Sequence, residues 1–408
     1  MRIYQVGGSL RDTLRGQVPN DLDYVVVGAT IAQFLAVFPR AIGIGKAFPV
    51  FQVGPRQFAF ARTERKVGAG YKGFEIHADP SVTLTDDLAR RDFTCNAIAR
   101  EVYISDLQPF GPLIDPFAGS LDIQHGMLRH VGPAFVEDPL RVYRLARFAA
   151  RFGWSVYTST LDLCRTLPVE ELQTLSAERI YQEVLGALQP GFASSRFFWT
   201  LKQADGLRHW FSEVQNLVGV PAGFPHHHGE GDTFIHTMLA LDQVREAPVA
   251  VKLGVLCHDF GKAATPRALW PRHHGHDATG VPIVRAFCAR LRIPTALSRA
   301  AVLATAEHLR VHKFPEMRPG KQVDLIARAD STVLKAEGLA TICCADSRGR
   351  IPPAGTDGPM AILRVVKACR EERGQPIPGS LKGPERGLHV RWRKGLAITR
   401  ALKGGETA

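Results

Sequence analysis

The sequence predicts an α+β chain of several domains, with a mixed β-sheet and its helices first and helices alone after it. Residues 1–135 alternate short β-rich runs (YVVVG, FPVFQVG, FAFAR) with turns and a few helical stretches. From Val136 the pattern changes: apolar residues recur at three and four spacings in LRVYRLARFAARFG, LSAERIYQEVLGALQ and FFWTLKQADGLRHWF. At 408 residues the chain is too long for one ordinary core.

These textures divide it into a head over 1–135, a helical neck and body over 136–217, a linker over 218–232, a second helical block over 233–350 and a tail over 351–408. The linker assignment rests on VGVPAGFPHHHGEGD, dense in Pro, Gly and His, whose histidines 226–228 read as a solvated loop. The tail is basic and punctuated by Gly and Pro. No apolar run approaches the roughly 18 residues that cross a bilayer. The start, MRIYQVGG, lacks the apolar core of a signal peptide, so a cytoplasmic protein with no membrane partner is expected. Seven scattered cysteines without a CxxC argue against a disulfide framework or a zinc ribbon. A net charge of +12 favours a polyanionic partner such as nucleic acid.

The first chemical signal is GGSLRDTLRGQVPNDLDYVVVG, Gly7 to Gly28. If DLDYVVV is a strand, Asp21 and Asp23 point one way while Leu22 and Tyr24 point the other. Two carboxylates so close repel and raise one another's pKa, a problem that a divalent cation removes. Mg²⁺ suits them, since it prefers hard oxygen ligands and commonly takes one or two carboxylates plus substrate phosphates. Gly8, in the Gly7-Gly8 pair, lets the backbone approach a triphosphate, with Arg11 at hand for a phosphate oxygen. Further on, in DDLARRDFTCNAIA, Arg91 could clamp phosphates while Asp92 orients it or lies near the metal. GIGKAF, 43–48, lacks the spacing of a phosphate-binding P-loop and reads as a turn between strands.

The ordered set GGSLRD, DLD, RTERK, RRDFTCNA, EDPLRVYRLARF and AERIYQE resembles the class II tRNA nucleotidyltransferases, polymerase-β-like enzymes that add or repair the 3′-terminal CCA of tRNA. The resemblance covers about the first 215 residues. It implies a polymerase-β-like head, CTP and ATP as substrates, tRNA as partner and Mg²⁺ as cofactor, with Asp21 and Asp23 catalytic.

In EDPLRVYR, a continuous helix would put Asp138 and Arg141 on one face, with Arg144 one turn later. Aspartate only accepts hydrogen bonds and arginine only donates them. Cytosine and adenine both show an amino donor beside a ring-nitrogen acceptor, an edge that such a pair matches. Guanine and uracil put a carbonyl where the amino group would be, leaving the aspartate facing an acceptor. The family resemblance implies that Asp138 and Arg141 read the incoming base, with Arg144 as a nucleotide contact. It also gives Glu178, Arg179 and Glu183 of ERIYQE a bracing role beside the nucleotide pocket; from the residues alone they are equally a helix-stabilising network.

After the linker, FIHTM supplies His236, and LGVLCHDFGK supplies His258 and Asp259 at the end of an apolar run. A charged pair there is disfavoured unless coordinated, and imidazole with carboxylate suits a transition metal that activates water. The order resembles the HD phosphohydrolase superfamily. Asp330 in LIARADS is the expected last ligand, with Asp324 as its competitor. His276 and His308 would complete a second metal position, and Lys262 could contact phosphate.

With this block included, the chain resembles the bacterial multifunctional CCA family, in which an HD domain with phosphatase, 2′-nucleotidase and 2′,3′-cyclic phosphodiesterase activities follows the nucleotidyltransferase. That resemblance implies a transition metal, often nickel, for the HD domain. The function expected is template-independent CCA addition and repair, by a monomer or a homodimer. A poly(A) polymerase of the same superfamily and a non-catalytic RNA-binding protein are the alternatives.

Overall fold

The computed structural model describes residues 1–19, 21–44, 50–66, 68, 74–372 and 377–404. Most of the expected turn in GIGKAF thus lies outside the described residues. The chain groups into two compact units, 1–176 with 203–206, and 177–202 with 207–408.

The first unit is α+β, as the sequence predicts. Its strands are β1 (Arg2–Val6), β2 (Leu22–Val27), β3 (Ile42–Ile44), β4 (Val50–Val53), β5 (Arg56–Phe60), β6 (Thr63–Lys66), β7 (Phe74–His77), β8 (Ala99–Val102) and the short parallel pair β9 (Met127–Leu128) and β10 (Ser155–Val156). Its helices are α1 (Gly8–Leu14), α2 (Ile31–Val37), α3 (Leu84–Ala89), α4 (Gly119–His125), α5 (Leu140–Phe152), α6 (Thr158–Arg165) and α7 (Val169–Gln173). Six strands form one sheet in the order β3-β4-β5-β2-β1-β8, and β6 pairs with β7 apart from it. Only β2 and β5 run parallel in the six-stranded sheet, with Asp23 opposite Gln57. Alternation gives the sheet two packed faces: Ile3, Tyr24, Val26, Phe34 and Phe58 bury one, and Tyr4, Val6, Val25, Leu88 and Ala99 the other. Asp23 shares the face of Val25.

Capping decides where α3 begins: the Thr83 hydroxyl accepts from the Asp86 amide, and Asp86 returns the bond to the Thr83 backbone. The expected boundary at 135 moves to 176 because aromatic packing ties α5 to the head. The buried Phe93 ring lies 5.5 Å from Phe135 and 5.3 Å from Phe148 of α5.

The second unit is all helical: α8 (Ala177–Ala187), α9 (Ser194–Gln203), α10 (Ser212–Gln215), α11 (Thr233–Asp242), α12 (Val249–Cys257), α13 (His276–Arg290), α14 (Thr295–His312), α15 (Pro319–Asp330), α16 (Lys335–Arg348), α17 (Asp357–Glu371) and α18 (Gly383–Gly404). Helix α12, VAVKLGVLC, is apolar nearly all round and sits at the centre. Its one lysine, Lys252, is buried and donates to the carbonyls of Gln189 and Phe192 and to the Ser194 hydroxyl.

The expected linker is a packed strap. Asp232 caps α11 through the Ile235 amide at 2.7 Å, and its other oxygen accepts from the Gly219 amide at 3.0 Å. Lys262 donates to the Ala222 carbonyl at 2.8 Å. The Gly229 amide donates to the Ile351 carbonyl at 2.6 Å, and the Ile351 amide to Glu230 at 2.8 Å.

Directly after His258 and Asp259, Gly261 admits α13 with no clearance: a β-carbon there would lie 1.9 Å from the His276 carbonyl oxygen. Gly261→Ala should therefore lower the unfolding free energy by about 2 kcal/mol or more through forced backbone displacement, measured by urea titration. A loss of under about 0.5 kcal/mol would contradict this packing.

Candidate functional site

The head site forms at the start of β2. Asp21 is exposed and Asp23 half-buried. Burial, and secondarily the charge of Asp21, raise the Asp23 pKa, while Arg91 opposes them. Asp23 thus senses both Arg91 and the neighbouring carboxylate, although Asp21 itself lies just before β2. Their hard, anionic oxygens fit a divalent cation.

Arg91 is aimed by Asp87, not by Asp92. The Asp87 carboxylate is fully buried and accepts from Arg91 at 3.1 Å and from Arg90 at 2.5 Å. Burial would raise its pKa, but Arg90 and Arg91 outweigh that and hold it below the usual carboxylate range. Gly7 completes the arrangement with φ of 69° and no side chain, since a β-carbon there would lie 2.7 Å from Arg91 Nη1.

Asp92 instead holds Arg144 through two bonds of 2.9 and 2.7 Å, with Asn96 and the Phe93 amide on its other oxygen. Burial alone would raise the Asp92 pKa; the Arg144 charge and the Asn96 bond bring it down to about 2. Arg11 is also committed. It is 4% exposed, bonded twice to Asp12 and once to Asn96 at 2.6 Å, and stacked near Phe148 and Phe152. The expected phosphate contact would require it to leave these partners. Gly8, the first residue of α1, lies beside this guanidinium.

Asp138 is not on the helix. It sits in extended backbone two residues before α5, its carboxylate accepting from the Leu140 amide at 3.2 Å and its carbonyl from the Arg141 amide at 3.0 Å. Pro139, next in the chain, disfavours helical backbone at Asp138. Arg141 does lie on α5 and donates to the Ala134 and Arg90 carbonyls. Glu178, Arg179 and Glu183 fall on α8 of the second unit, where Glu178 pairs with Arg292 and Glu183 is buried.

In the second unit four helices and one turn bring His236, His258, Asp259, His276 and His308 together, all buried. His258 donates through Nδ1 to the Val255 carbonyl at 2.7 Å, His276 to His273 at 2.7 Å and His308 to Thr305 at 2.9 Å. A carbonyl only accepts, so the proton of each neutral ring sits on Nδ1 and the bare Nε2 points inward. These nitrogens converge on Asp259, at 3.2 Å for His258, 3.2 Å for His276 and 3.8 Å for His308. His276 and His308 meet at 3.0 Å.

Lone pairs facing one another this closely are unfavourable unless a cation lies among them, so the donor set fits a metal. His258 Nε2, buried without a hydrogen-bond partner, makes the same point. Burial holds His308 down at about 3, as a neutral ligand. Burial opposes protonation of His276 too, but Asp259 draws a proton onto it and raises its pKa, supplying the positive charge a metal would bring. Asp259 belongs to two ligand groups, one with His236 and His258 and one with His276 and His308, so it can bridge two positions. Lys262 caps the Asp259 carboxylate at 2.7 Å.

The expected last ligand is corrected. Asp330 accepts from Arg370 at 2.6 and 3.0 Å, and Asp324 accepts from Arg391 at 2.6 Å; both belong to helix-pairing contacts. The carboxylate that meets His236, at 3.1 Å, is Asp346 of α16, fixed from behind by His312 at 2.7 Å and Arg350 at 3.1 Å. Its signal was present in LATICCADSR, a carboxylate ending an apolar run as Asp259 does in LGVLCHD. His228 is likewise no solvated residue: it is buried against Glu230, which also accepts from His236 Nδ1 at 3.0 Å.

The chain matches a family model described as the Poly A polymerase head domain over residues 3–129 and one for the HD domain over 232–333. A relative from Xanthomonas axonopodis pv. citri (strain 306), named Multifunctional CCA protein, is 46% identical over 422 residues, covering 99% of this chain and 100% of that one. The chain belongs to the multifunctional CCA protein family. A second relative of that name, from Nitrosomonas europaea, is 43% identical over 88% of this chain and 86% of its own. The fold also resembles a Thermotoga maritima CCA-adding enzyme complexed with tRNA, with a TM-score of 0.62 at 18% identity over 99% of this chain and 91% of that one. A CCA-adding enzyme with ATP gives 0.60 at 19% identity, over 98% of this chain and 86% of that one. The HD match stops at 333 and so includes Asp330 but not Asp346, which only the geometry reveals.

Two outcomes are expected. The folded Asp92 pKa of about 2 lies below that of the unfolded chain, so its stabilisation is present above about pH 4 and lost as pH falls through about 2. Asp92→Asn should remove about 2 kcal/mol of head stability at pH 7 and little at pH 2, as read by urea unfolding. Asp346→Asn should weaken binding of a divalent transition metal in calorimetry by roughly 10-fold or more, a loss on the scale of removing a ligand or its support. Asp330→Asn should leave it unchanged.

Proposed function

We propose that this member of the multifunctional CCA protein family adds C, C and A to tRNA 3′ ends from CTP and ATP without a nucleic-acid template, and that its HD centre hydrolyses phosphate monoesters, 2′-nucleotides and 2′,3′-cyclic phosphates. The observation that carries the first activity is the Asp21–Asp23 pair beside an Arg91 already aimed by Asp87. The second rests on the inward Nε2 atoms around Asp259.

In the head, Asp21 and Asp23 would hold Mg²⁺, which supplies positive charge to the attacking 3′-hydroxyl and the leaving pyrophosphate. The hydroxyl oxygen bonds to the α-phosphorus as the bond to pyrophosphate breaks. Arg91 and the α1 backbone at Gly8 bind the triphosphate, and Arg11 joins them only on leaving Asp12 and Asn96. Asp138 accepts the amino hydrogen of cytosine or adenine while Arg141 donates to the neighbouring ring nitrogen, and Asp92 keeps Arg144 extended for a nucleotide contact.

In the HD centre the donors are imidazole nitrogens and carboxylates, which favour nickel or another transition metal over magnesium. His236, His258, Asp259 and Asp346 would hold one ion and Asp259, His276 and His308 a second, and such ions would supply the charge that activates water for attack on phosphate. Lys262, already at Asp259, is placed to neutralise phosphate charge.

Incubation with tRNA lacking CCA, followed by sequencing of the products, tests the whole reading: CTP with ATP should restore CCA, and a long A tail from ATP alone would favour a poly(A) polymerase. Asp21→Asn should reduce addition by about 100-fold or more while sparing cyclic-phosphate hydrolysis, and His258→Ala should do the reverse. Loss of both activities by either change would sink the two-site reading.

A further inference from the structure

The pocket over the HD centre shares Leu309 and Arg350 with a strongly basic cleft that neither proposed activity uses. Between α14 and α15 lies a cavity of about 890 Å³ lined by Arg310, Lys313, Arg318, Lys321, Arg328 and Arg350, with no carboxylate in its lining. Arg310 and Arg328 are matched by Glu307 from behind, and Arg350 by Asp346. Lys313, Arg318 and Lys321 are exposed and make no ion pair among the described residues. Three unmatched cations on one wall repel each other, and an anion on that wall relieves them.

The cleft and the centre share a wall. His312 and Arg350 line the cleft, and both hold Asp346, which in turn meets His236. Away from the centre, Arg318 and Lys321 also line a second groove, of about 660 Å³, together with Trp392 of α18. Trp392 is 60% exposed, a large apolar ring left in water. The order is therefore metal-ligand cluster, row of cations, exposed indole.

We propose that this wall is a track for single-stranded RNA, seating the phosphates 5′ of the scissile end on Lys313, Arg318 and Lys321 and stacking a base on Trp392. Cations that follow a backbone, followed by an aromatic platform, suit a strand with its base faces free, and they suit any base sequence. A duplex hides those faces, and a mononucleotide would reach only the centre. The inference rests on the phosphohydrolase reading of that centre, and it makes the preferred substrate an RNA 3′ end. Lys313, Arg318, Lys321 and Trp392 touch the substrate away from the reacting atoms.

The test uses the full chain loaded with nickel and two substrates, a six-nucleotide RNA ending in a 2′,3′-cyclic phosphate and 2′,3′-cyclic AMP. In a variant combining Lys313→Ala, Arg318→Ala and Lys321→Ala, KM for the RNA should rise about 10-fold or more, with kcat on the RNA and both constants for cyclic AMP unchanged. The slope of log kcat/KM for the RNA against log salt should shrink by about 2, from three phosphates at about 0.7 each. Trp392→Ala should raise the RNA KM by about 5-fold or more without changing that slope. An unchanged RNA KM in the triple variant, or an equal loss on both substrates, would overturn the track. If the unmodified chain hydrolyses neither substrate, the phosphohydrolase reading fails on its own. Fluorescence anisotropy of the labelled RNA then decides the track: weaker binding by the triple variant supports it, and equal affinity overturns it.

Discussion

The chain depends on what it does with buried carboxylates. Asp87, Asp92, Asp259 and Asp346 are nearly withdrawn from water, and a bare carboxylate there would cost several kcal/mol. In the head, guanidinium groups meet the demand: Asp87 takes Arg90 and Arg91, and Asp92 takes Arg144. Each pair does local work twice over, since the same bonds that satisfy the carboxylate fix the direction of an arginine. In the HD centre the neighbours of Asp259 are imidazole rings and Lys262, whose ammonium lies 2.7 Å from the carboxylate. The first solution fixes a row of arginines in direction, and the second leaves a set of donors that fits a metal.

The two centres also differ in ligand chemistry. Asp21 and Asp23 offer only oxygen and stay partly in water, which suits a cation that keeps its own hydration and shares itself with a triphosphate. Around Asp259 imidazole nitrogen dominates and the donors are buried, which suits a tightly held transition-metal ion. One chain can therefore run both reactions without the metals exchanging places.

Much of this was legible in the sequence where chemistry and periodicity agree. Alternation in DLDYVVV placed Asp23 opposite Tyr24, and the apolar run before His258-Asp259 announced a buried polar pair. Errors arose where side-chain pairing over long sequence separations decides. Nothing local in RRD tells that Asp87 aims Arg91 while Asp92 reaches 52 residues on to Arg144. Asp330 and Asp346 both follow apolar stretches, and only the packing of α15 against α18 and α17 turns Asp330 toward Arg370. Polarity made 218–232 look like a linker, because hydrogen bonds to Asp232, Lys262 and Ile351 are invisible in composition.

The bonds between Gly229, Glu230 and Ile351 close the HD block on itself, for the chain enters and leaves that block at one spot. The strap before α11 and the turn after α16 are thereby held as one joint, with α17 and α18 packed onto the same helices beyond it. The metal site sits immediately inside that closure, since Glu230 both ties the ends together and supports His236. Strain on that joint therefore reaches the candidate ligand His236 through a single carboxylate.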